Sequence, residues 1–330
     1  MREAPVARRR EAAAGSGLGA VEWPTVALAG TIYGGWAALT WWHAALPPWL
    51  VWPGLIWLVA WHGSLQHEVL HGHPTRSRRL NDALGTPPLA LWLPYALYRR
   101  AHLRHHVDAR LTDPLDDPES HYWTPALWQA LSRPGRLLVR AQGMLLGRLL
   151  IGPGWSIGRF AYFQAGLLRR GERGVRRIWA WHLAGVASVL AWLWGACGMS
   201  PLAYALAVVY PATALTLLRS FAEHRAAPGV PERIAVVEGG GPFGLLFLHN
   251  NLHAVHHAWP RLPWYRIPAI YRQHRAALIA ANGGLLYRGY GEVARRYLLA
   301  PHDAVLHPLG RAPGRSRTIA YSPGRSPAAS

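Results

Sequence analysis

Three histidine clusters stand out in this sequence: His67-x-x-x-His71, His102-x-x-His105-His106 and His253-x-x-His256-His257. Spacings of three and four residues place side chains on one face of a helix, so each cluster can aim its imidazoles at a common point. Nitrogen-only shells of this size suit iron, copper or zinc rather than magnesium or calcium. Eight such residues are too many for one tetrahedral zinc, and two metal ions are the economical reading. The chain holds 18 histidines, so a single pair at this spacing would carry little weight. Two repeats of His-x-x-His-His plus a His-x-x-x-His carry much more. The only cysteine is Cys197, which excludes an internal disulfide and any cysteine-based metal cage.

The clusters sit beside long uncharged stretches, which are the elements that position them. The mean hydropathy is only +0.03 although 51% of the 330 residues are hydrophobic, so the apolar residues are segregated. No Asp, Glu, Lys or Arg occurs from Trp23 to His67 or from Ile178 to Leu218. Each stretch is about twice the ~20 residues that cross a bilayer. Pro47-Pro48 interrupts the first, and Gly198-Met199-Ser200-Pro201 the second. The expectation is an all-α polytopic membrane protein. Its two helical hairpins give four spans, near 25–45, 49–66, 178–197 and 202–219, below a helical cap that carries the histidines. A buried helix pair in a soluble protein would not need two uncharged runs of this length. Trp41, Trp42, Trp49, Trp52 and Trp181 fall near the expected span ends, where amphipathic rings settle at the headgroup level.

Charge orients the spans. The formal net charge is +19, and the sequence contains no lysine. Arginine is absent from both hairpin turns and concentrated in Arg8-Arg9-Arg10, in 76–177 and after Arg219. The positive-inside rule then puts both termini and all histidine clusters on the cytoplasmic side, of a bacterial inner membrane in the simplest setting. Such a basic chain could also bind nucleic acid, but no nucleic-acid motif accompanies the arginines, and anionic headgroups are the better partners. The apolar run after the basic amino terminus is too long for a signal peptide and reads as an uncleaved helix. Residues 1–22 read as a disordered basic segment, 23–300 as the domain and 301–330 as a flexible tail. Leu80 to Tyr98, apolar but interrupted by Asp82, Pro87, Pro88 and Pro94, reads as interfacial or re-entrant, and 123–177 as amphipathic surface helices. Oligomeric state is not legible.

With the clusters and spans in place, a family resemblance emerges. His67-Glu68-Val69-Leu70-His71-Gly72-His73, His102-Leu103-Arg104-His105-His106 and Asn250-Asn251-Leu252-His253-Ala254-Val255-His256-His257 resemble the three histidine boxes of the membrane fatty acid desaturase superfamily. That superfamily also contains carotenoid ketolases and hydroxylases. Leu111 to Pro118 and Pro260 to Tyr265 are similar to its bacterial members, and the resemblance covers roughly residues 50 to 275. It implies two iron ions, dioxygen as co-substrate, and a further histidine after the fourth span. In Phe221-Ala222-Glu223-His224-Arg225 that residue is His224, which makes nine expected ligands: His67, His71, His102, His105, His106, His224, His253, His256 and His257. Ser220 departs from the animal acyl-coenzyme-A branch, which has asparagine there; Asn250 or Asn251 would have to supply the amide.

Ligating imidazoles usually donate their other N–H to a carboxylate or carbonyl. Candidate supports are Glu68, Asp108, Asp113 and Glu223, each of which reads at least as well as a surface acid, with Asn250 and Asn251 as candidate amides. His73, past the helix if Gly72 and Pro74 end it, and His249, one turn before His253, stand open between ligand and support. His62 reads as a hydrogen-bonded residue inside a span, while His43, His121, His182, His274, His302 and His307 have no partners at ligand spacing.

The resulting expectation is an oxygen-dependent di-iron oxidoreductase that desaturates a fatty acyl or similar chain. The alternatives are a hydroxylase or ketolase of the same superfamily, a desaturase of a small specialised metabolite, and, from another class, a metal transporter or store. Transporters place their ligands near the midplane and often carry inverted repeats, neither of which is evident here. With no cytochrome or ferredoxin motif in the chain, electrons must come from a ferredoxin- or rubredoxin-like partner. Such donors are usually acidic, so the Arg99, Arg100 and Arg104 surface is the expected dock.

Overall fold

The computed structural model describes residues 21–309, and of Asp108 only the backbone. The basic residues 1–20 and the tail beyond 309 lie outside the described residues. The chain is mostly helical. In order come α1 (Trp23–Trp41), α2 (Pro48–Leu70), α3 (Arg78–Gly85), α4 (Tyr95–His105), α5 (Pro125–Ala130), α6 (Arg133–Gln142) and α7 (Leu145–Leu150). They are followed by α8 (Gly152–Arg169), α9 (Arg173–Ala196), α10 (Pro201–Glu223), β1 (Val236–Gly239), α11 (Pro242–Leu246), α12 (His253–Ala258), α13 (Ile267–Ala281), β2 (Leu286–Gly289) and α14 (Tyr290–Tyr297).

Helices stand at each of the four expected spans. Two of them, α9 and α10, are long and apolar enough to cross a membrane by length and composition. In α1 and α2 the apolar character is diluted by Gly, Thr, Tyr, Trp and Pro. Proline at the first or second helical position starts α1, α2 and α10, where its missing N–H is no loss. Both α9 and α10 contain a widened π turn, at Ala191–Ala196 and Ala205–Val209.

Leu28, Ile32 and Trp36 of α1 join Val51, Leu55 and Leu58 of α2 and Leu193, Tyr204 and Val208 in one core. Several of its polar atoms are paired, as burial favours. Trp36 Nε1 donates to Tyr204 Oη at 2.9 Å, Tyr204 Oη donates to the Leu89 carbonyl at 2.8 Å, and Trp192 Nε1 donates to Thr40 Oγ1 at 2.9 Å. His62 is buried and lies 3.1 Å from Tyr33 Oη, as its place inside an apolar helix suggests.

The apolar stretch after α2 is α3 followed by an irregular 86–94 segment and then α4, which delivers the second histidine cluster. Two sequence expectations need adjustment. The all-α reading omits a two-stranded parallel sheet, β1 with β2, whose four-residue strands are too short to give a periodicity signal. Glycine is needed where the strands close up: a Cβ on Gly239 would lie 2.4 Å from the Arg288 carbonyl oxygen. The segment 301–309 also packs back on the body. His302 N–H donates to the Gly143 carbonyl, Trp123 N–H donates to the Val305 carbonyl, and His302 is buried.

Candidate metal centre

The histidine clusters sit where helices end. His67 and His71 close α2, and Gly72, at φ +107°, turns the chain away in a conformation that costs other residues strain. His102, His105 and His106 close α4, and His253, His256 and His257 make up half of the short α12. His224 follows α10 in extended conformation (φ −134°, ψ 143°). There it pairs with Ile234 in an antiparallel bridge.

All nine candidate histidines converge, in two groups whose nitrogens lie within 4.8 Å of one another: His67, His71, His102, His106 and His256, then His105, His224, His253 and His257. Helix geometry explains the division. In His-x-x-His-His, i and i+4 lie about 40° apart, while the residue between them lies about 60° from i on its other side and about 100° from i+4. His102 and His106 therefore join the first group while His105 joins the second. The third cluster has the opposite sense, with His253 and His257 in the second group and His256 crossing to the first. His106 and His257 stack at 4.5 Å between ring centroids, so the two groups are contiguous.

The Nε2 atoms crowd together. His105 and His253 each lie 3.0 Å from His224, His257 lies 3.1 Å from His253, and His106 lies 3.0 Å from His102 and 2.9 Å from His256. Nε2 of His67 and of His71 are buried without a partner. The opposite nitrogens explain this arrangement. His102 Nδ1 lies 2.8 Å from Glu119 Oε1, and His105 Nδ1 lies 2.9 Å from Asp117 Oδ1. His224 Nδ1 lies 3.2 Å from the Arg233 carbonyl, and His253 Nδ1 lies 3.1 Å from Asn250 Oδ1 and 3.3 Å from Glu223 Oε1. Each acceptor fixes the proton on Nδ1 and leaves an Nε2 lone pair facing inward. Lone pairs crowded at 3 Å repel unless a cation sits among them. A metal ion fits this donor set.

Electrostatics acts the same way on eight of the nine rings; His105 is the exception, and a metal would have to displace a proton from its Nε2. Burial, reinforced by the neighbouring His102 and His105, pushes His106 down to about 3. Burial and adjacent imidazoles drive His253, His256 and His257 well below the ordinary histidine range. Their rings are neutral, the form that binds metals. Burial lowers His105 too, but Glu119 and Asp117 outweigh it and push the group up to about 9.

The supports differ in part from expectation. Glu223 contacts His253, shares its Oε1 with Arg219 Nε at 3.1 Å, and accepts from Asn250 Nδ2 at 3.3 Å. Asn250 thus bridges Glu223 and His253. Asn251 instead donates to the Val237 carbonyl at 2.7 Å and anchors the third cluster to β1. Asp113 is a loop-former, its Oδ1 accepting from Leu115 N and Asp116 N. The Asp108 side chain lies outside the described residues. Glu68 accepts from Trp264 N at 3.0 Å and lies 3.9 Å from His73, away from both histidine groups. His73 belongs with Glu68 and Glu22. His249, at φ +59°, stacks on Trp264 rather than on a ligand. Ser220 Oγ donates to the Leu217 carbonyl of its own helix, so no side-chain amide reaches the site from that position.

Sequence reasoning missed Asp117 and Glu119. They lie 12 and 17 residues from the histidines they hold, across an irregular loop with no periodicity to reveal them. The loop aims Asp117 by backbone bonds: Thr112 N–H donates to Oδ2 and Glu119 N–H to Oδ1, both at 2.9 Å.

Comparison with known proteins agrees with this geometry. A profile of the family described as fatty acid desaturase matches residues 40–291, and the chain belongs to that family. The family is one of oxygen-dependent, membrane-bound oxidoreductases. Among similar characterised proteins are a zeaxanthin 4-ketolase from Chlamydomonas reinhardtii, 26% identical over 65% of this chain and 42% of the relative. A beta-carotene 4-ketolase 3 from Haematococcus lacustris is 24% identical over 65% of this chain and 59% of the relative. A beta-carotene 4-ketolase from Protosiphon botryoides is 24% identical over 61% and 46%. The chain spans about half the length of these relatives.

Proposed function

We propose that this protein is a membrane-embedded, O2-dependent di-iron oxidoreductase that oxidises C–H bonds of a lipid-like chain. The observation that carries this reading is the convergence of nine buried or half-buried imidazoles with inward-facing Nε2 atoms. His67, His71, His102, His106 and His256 would hold one iron, and His105, His224, His253 and His257 the other. Two irons, once bound and reduced, supply the power to activate dioxygen toward an unactivated C–H bond. The protein holds the ligand tautomers through Asp117, Glu119, Glu223, Asn250 and the Arg233 carbonyl. Burial of the histidines keeps bulk water from the site.

Desaturation is the reading that the family description favours. Ketolation or hydroxylation fits at least as well, because the similar characterised proteins are carotenoid ketolases. A metal-transport role has no support in a chain of this family. Mass spectrometry of lipids and carotenoids from aerated cells with and without the chain tests the proposal. The expected product has lost two hydrogens or gained oxygen. Profiles that stay identical in iron-replete cells supplied with a compatible electron donor would refute it.

The same reading includes four spans, formed by α1, α2, α9 and α10, with both termini and the histidines on the cytoplasmic face of a bacterial inner membrane. Exposed Trp23, Trp41, Trp42, Trp49, Trp181 and Trp194 support it, as does α9, only 17% buried over its most apolar window although almost uncharged there. It also includes reduction by a small acidic ferredoxin- or rubredoxin-like protein on the side of α4 that carries Arg99, Arg100 and Arg104. Exposed charges are screened within ~8 Å at physiological salt, so encounter-limited turnover is expected to fall as salt rises. Stopped-flow reduction by the native donor checks this, and salt-independent rates would contradict it.

A further inference from the structure

A second cluster of ligating groups lies apart from the nine histidines. Glu22 precedes α1, Glu68 lies in the last turn of α2, and His73 follows that helix. His73 Nδ1 is 2.8 and 2.9 Å from the two Glu22 carboxylate oxygens, and His73 Nε2 is 3.9 Å from Glu68 Oε1. One ligating atom from each of the three residues lies within 4.8 Å of the other two. The side chains of His73, Glu68 and Glu22 are 3%, 8% and 14% exposed. The histidine boxes make no use of these groups.

An ion pair alone fits the cluster poorly. A doubly protonated His73 would satisfy Glu22 through Nδ1–H, but 3.9 Å is too long for a hydrogen bond from Nε2 to Glu68. Nε2 is buried without a hydrogen-bond partner. Two carboxylates and one imidazolium also leave a net negative charge in a nearly closed site, offset in part by Arg261 nearby and by the burial that pushes the Glu68 carboxyl up toward its neutral form. The Trp264 N–H donated to Glu68 also offsets that charge without removing it. A divalent cation between a neutral imidazole and two carboxylates balances the charge and uses the idle nitrogen. Ligand bonds of ~2.0–2.2 Å allow opposite ligand atoms to stand about 4 Å apart, a spacing that His73 Nε2 and Glu68 Oε1 already have, while Glu22 would turn from Nδ1 to the Nε2 side of the ring to join them.

We propose that Glu22, Glu68 and His73 form a third, mononuclear divalent-cation site, separate from the histidine boxes. Mixed nitrogen and oxygen donors select a borderline ion such as Zn2+, Mn2+ or Fe2+ over Mg2+ or Ca2+. The ion would clamp the start of α1 to the end of α2 that carries His67 and His71, while Glu68 also holds the loop after the third cluster through the Trp264 N–H. That loop is already tied in through Trp264, whose Nε1 donates to Thr25 Oγ1 at 3.2 Å.

The test is metal content by inductively coupled plasma mass spectrometry. Full-length protein is purified in detergent after exposure to Zn2+, Mn2+ and Fe2+, and wild type is compared with Glu22→Gln. The expected result is one more metal ion per chain in wild type than in Glu22→Gln. The same difference should appear on a His106→Ala background, so the result does not depend on how many ions the boxes hold. Added Zn2+ or Mn2+ should also raise the melting temperature of wild type but not of Glu22→Gln. Should Glu22→Gln fold poorly, His73→Gln and anomalous scattering at the metal edge in wild-type crystals read out the same site. Equal metal content, an unchanged melting temperature, or no anomalous peak beside Glu68 would overturn the proposal.

Discussion

Replacing His106 with alanine is expected to bring turnover to background while leaving membrane insertion and yield unchanged. His106 sits at the end of α4 with its Nε2 3.0 Å from that of His102 and 2.9 Å from that of His256, in the middle of the five-histidine group. Loss of a group that merely supports a ligand typically costs ~10–100-fold in affinity or activity, and loss of a ligand should cost more. The fold should tolerate the change, because His106 is half-buried and lies outside the apolar core. His71→Ala, His224→Ala and His257→Ala should behave alike, since each removes one nitrogen from one group. Activity assays beside iron determination check this. A fully active His106→Ala variant would contradict the assignment.

Asp117→Asn is expected to weaken iron binding or activity by ~10–100-fold with little change in fold. Asp117 is buried and uses both oxygens, one toward His105 Nδ1 and one toward the Thr112 N–H. An amide keeps the shape but must turn its NH2 group toward one of these two donors. Either His105 loses the acceptor that fixes its tautomer, or the loop from Thr112 to Ser120 loses its anchor. Because His105 belongs to the four-histidine group, one metal should weaken before the other. Iron titration followed spectroscopically would show two unequal steps in the variant, and a titration identical to wild type would remove Asp117 from the account.

The convergence of the histidines was more legible than the residues that hold them, for a physical reason. His-x-x-His-His encodes a helix face within five residues, so each cluster can be seen to aim at one region, while the division into two groups appears only once the helices are packed together. His224 came only through resemblance, because a lone histidine after an apolar helix has no spacing to mark it. Asp117 and Glu119 act across an irregular loop, and nothing in the local sequence separates them from Asp113, which shapes the same loop. Glu68 misled because it adjoins His67 in sequence. Consecutive helical residues point about 100° apart, which turns its carboxylate toward His73 and Trp264. The uncharged stretches located all four long helices to within a few residues, while the short parallel strands β1 and β2 left no trace.

The central claim is that the convergent imidazoles hold two irons. Iron-edge X-ray absorption on active protein, combined with metal quantification, tests it most directly. The prediction is two irons per chain bound to the histidine boxes, each surrounded by nitrogen and light oxygen scatterers with no sulfur, and activity that disappears when iron is removed and returns when it is restored. Protein that carries stoichiometric zinc in these sites and remains active without iron would contradict it.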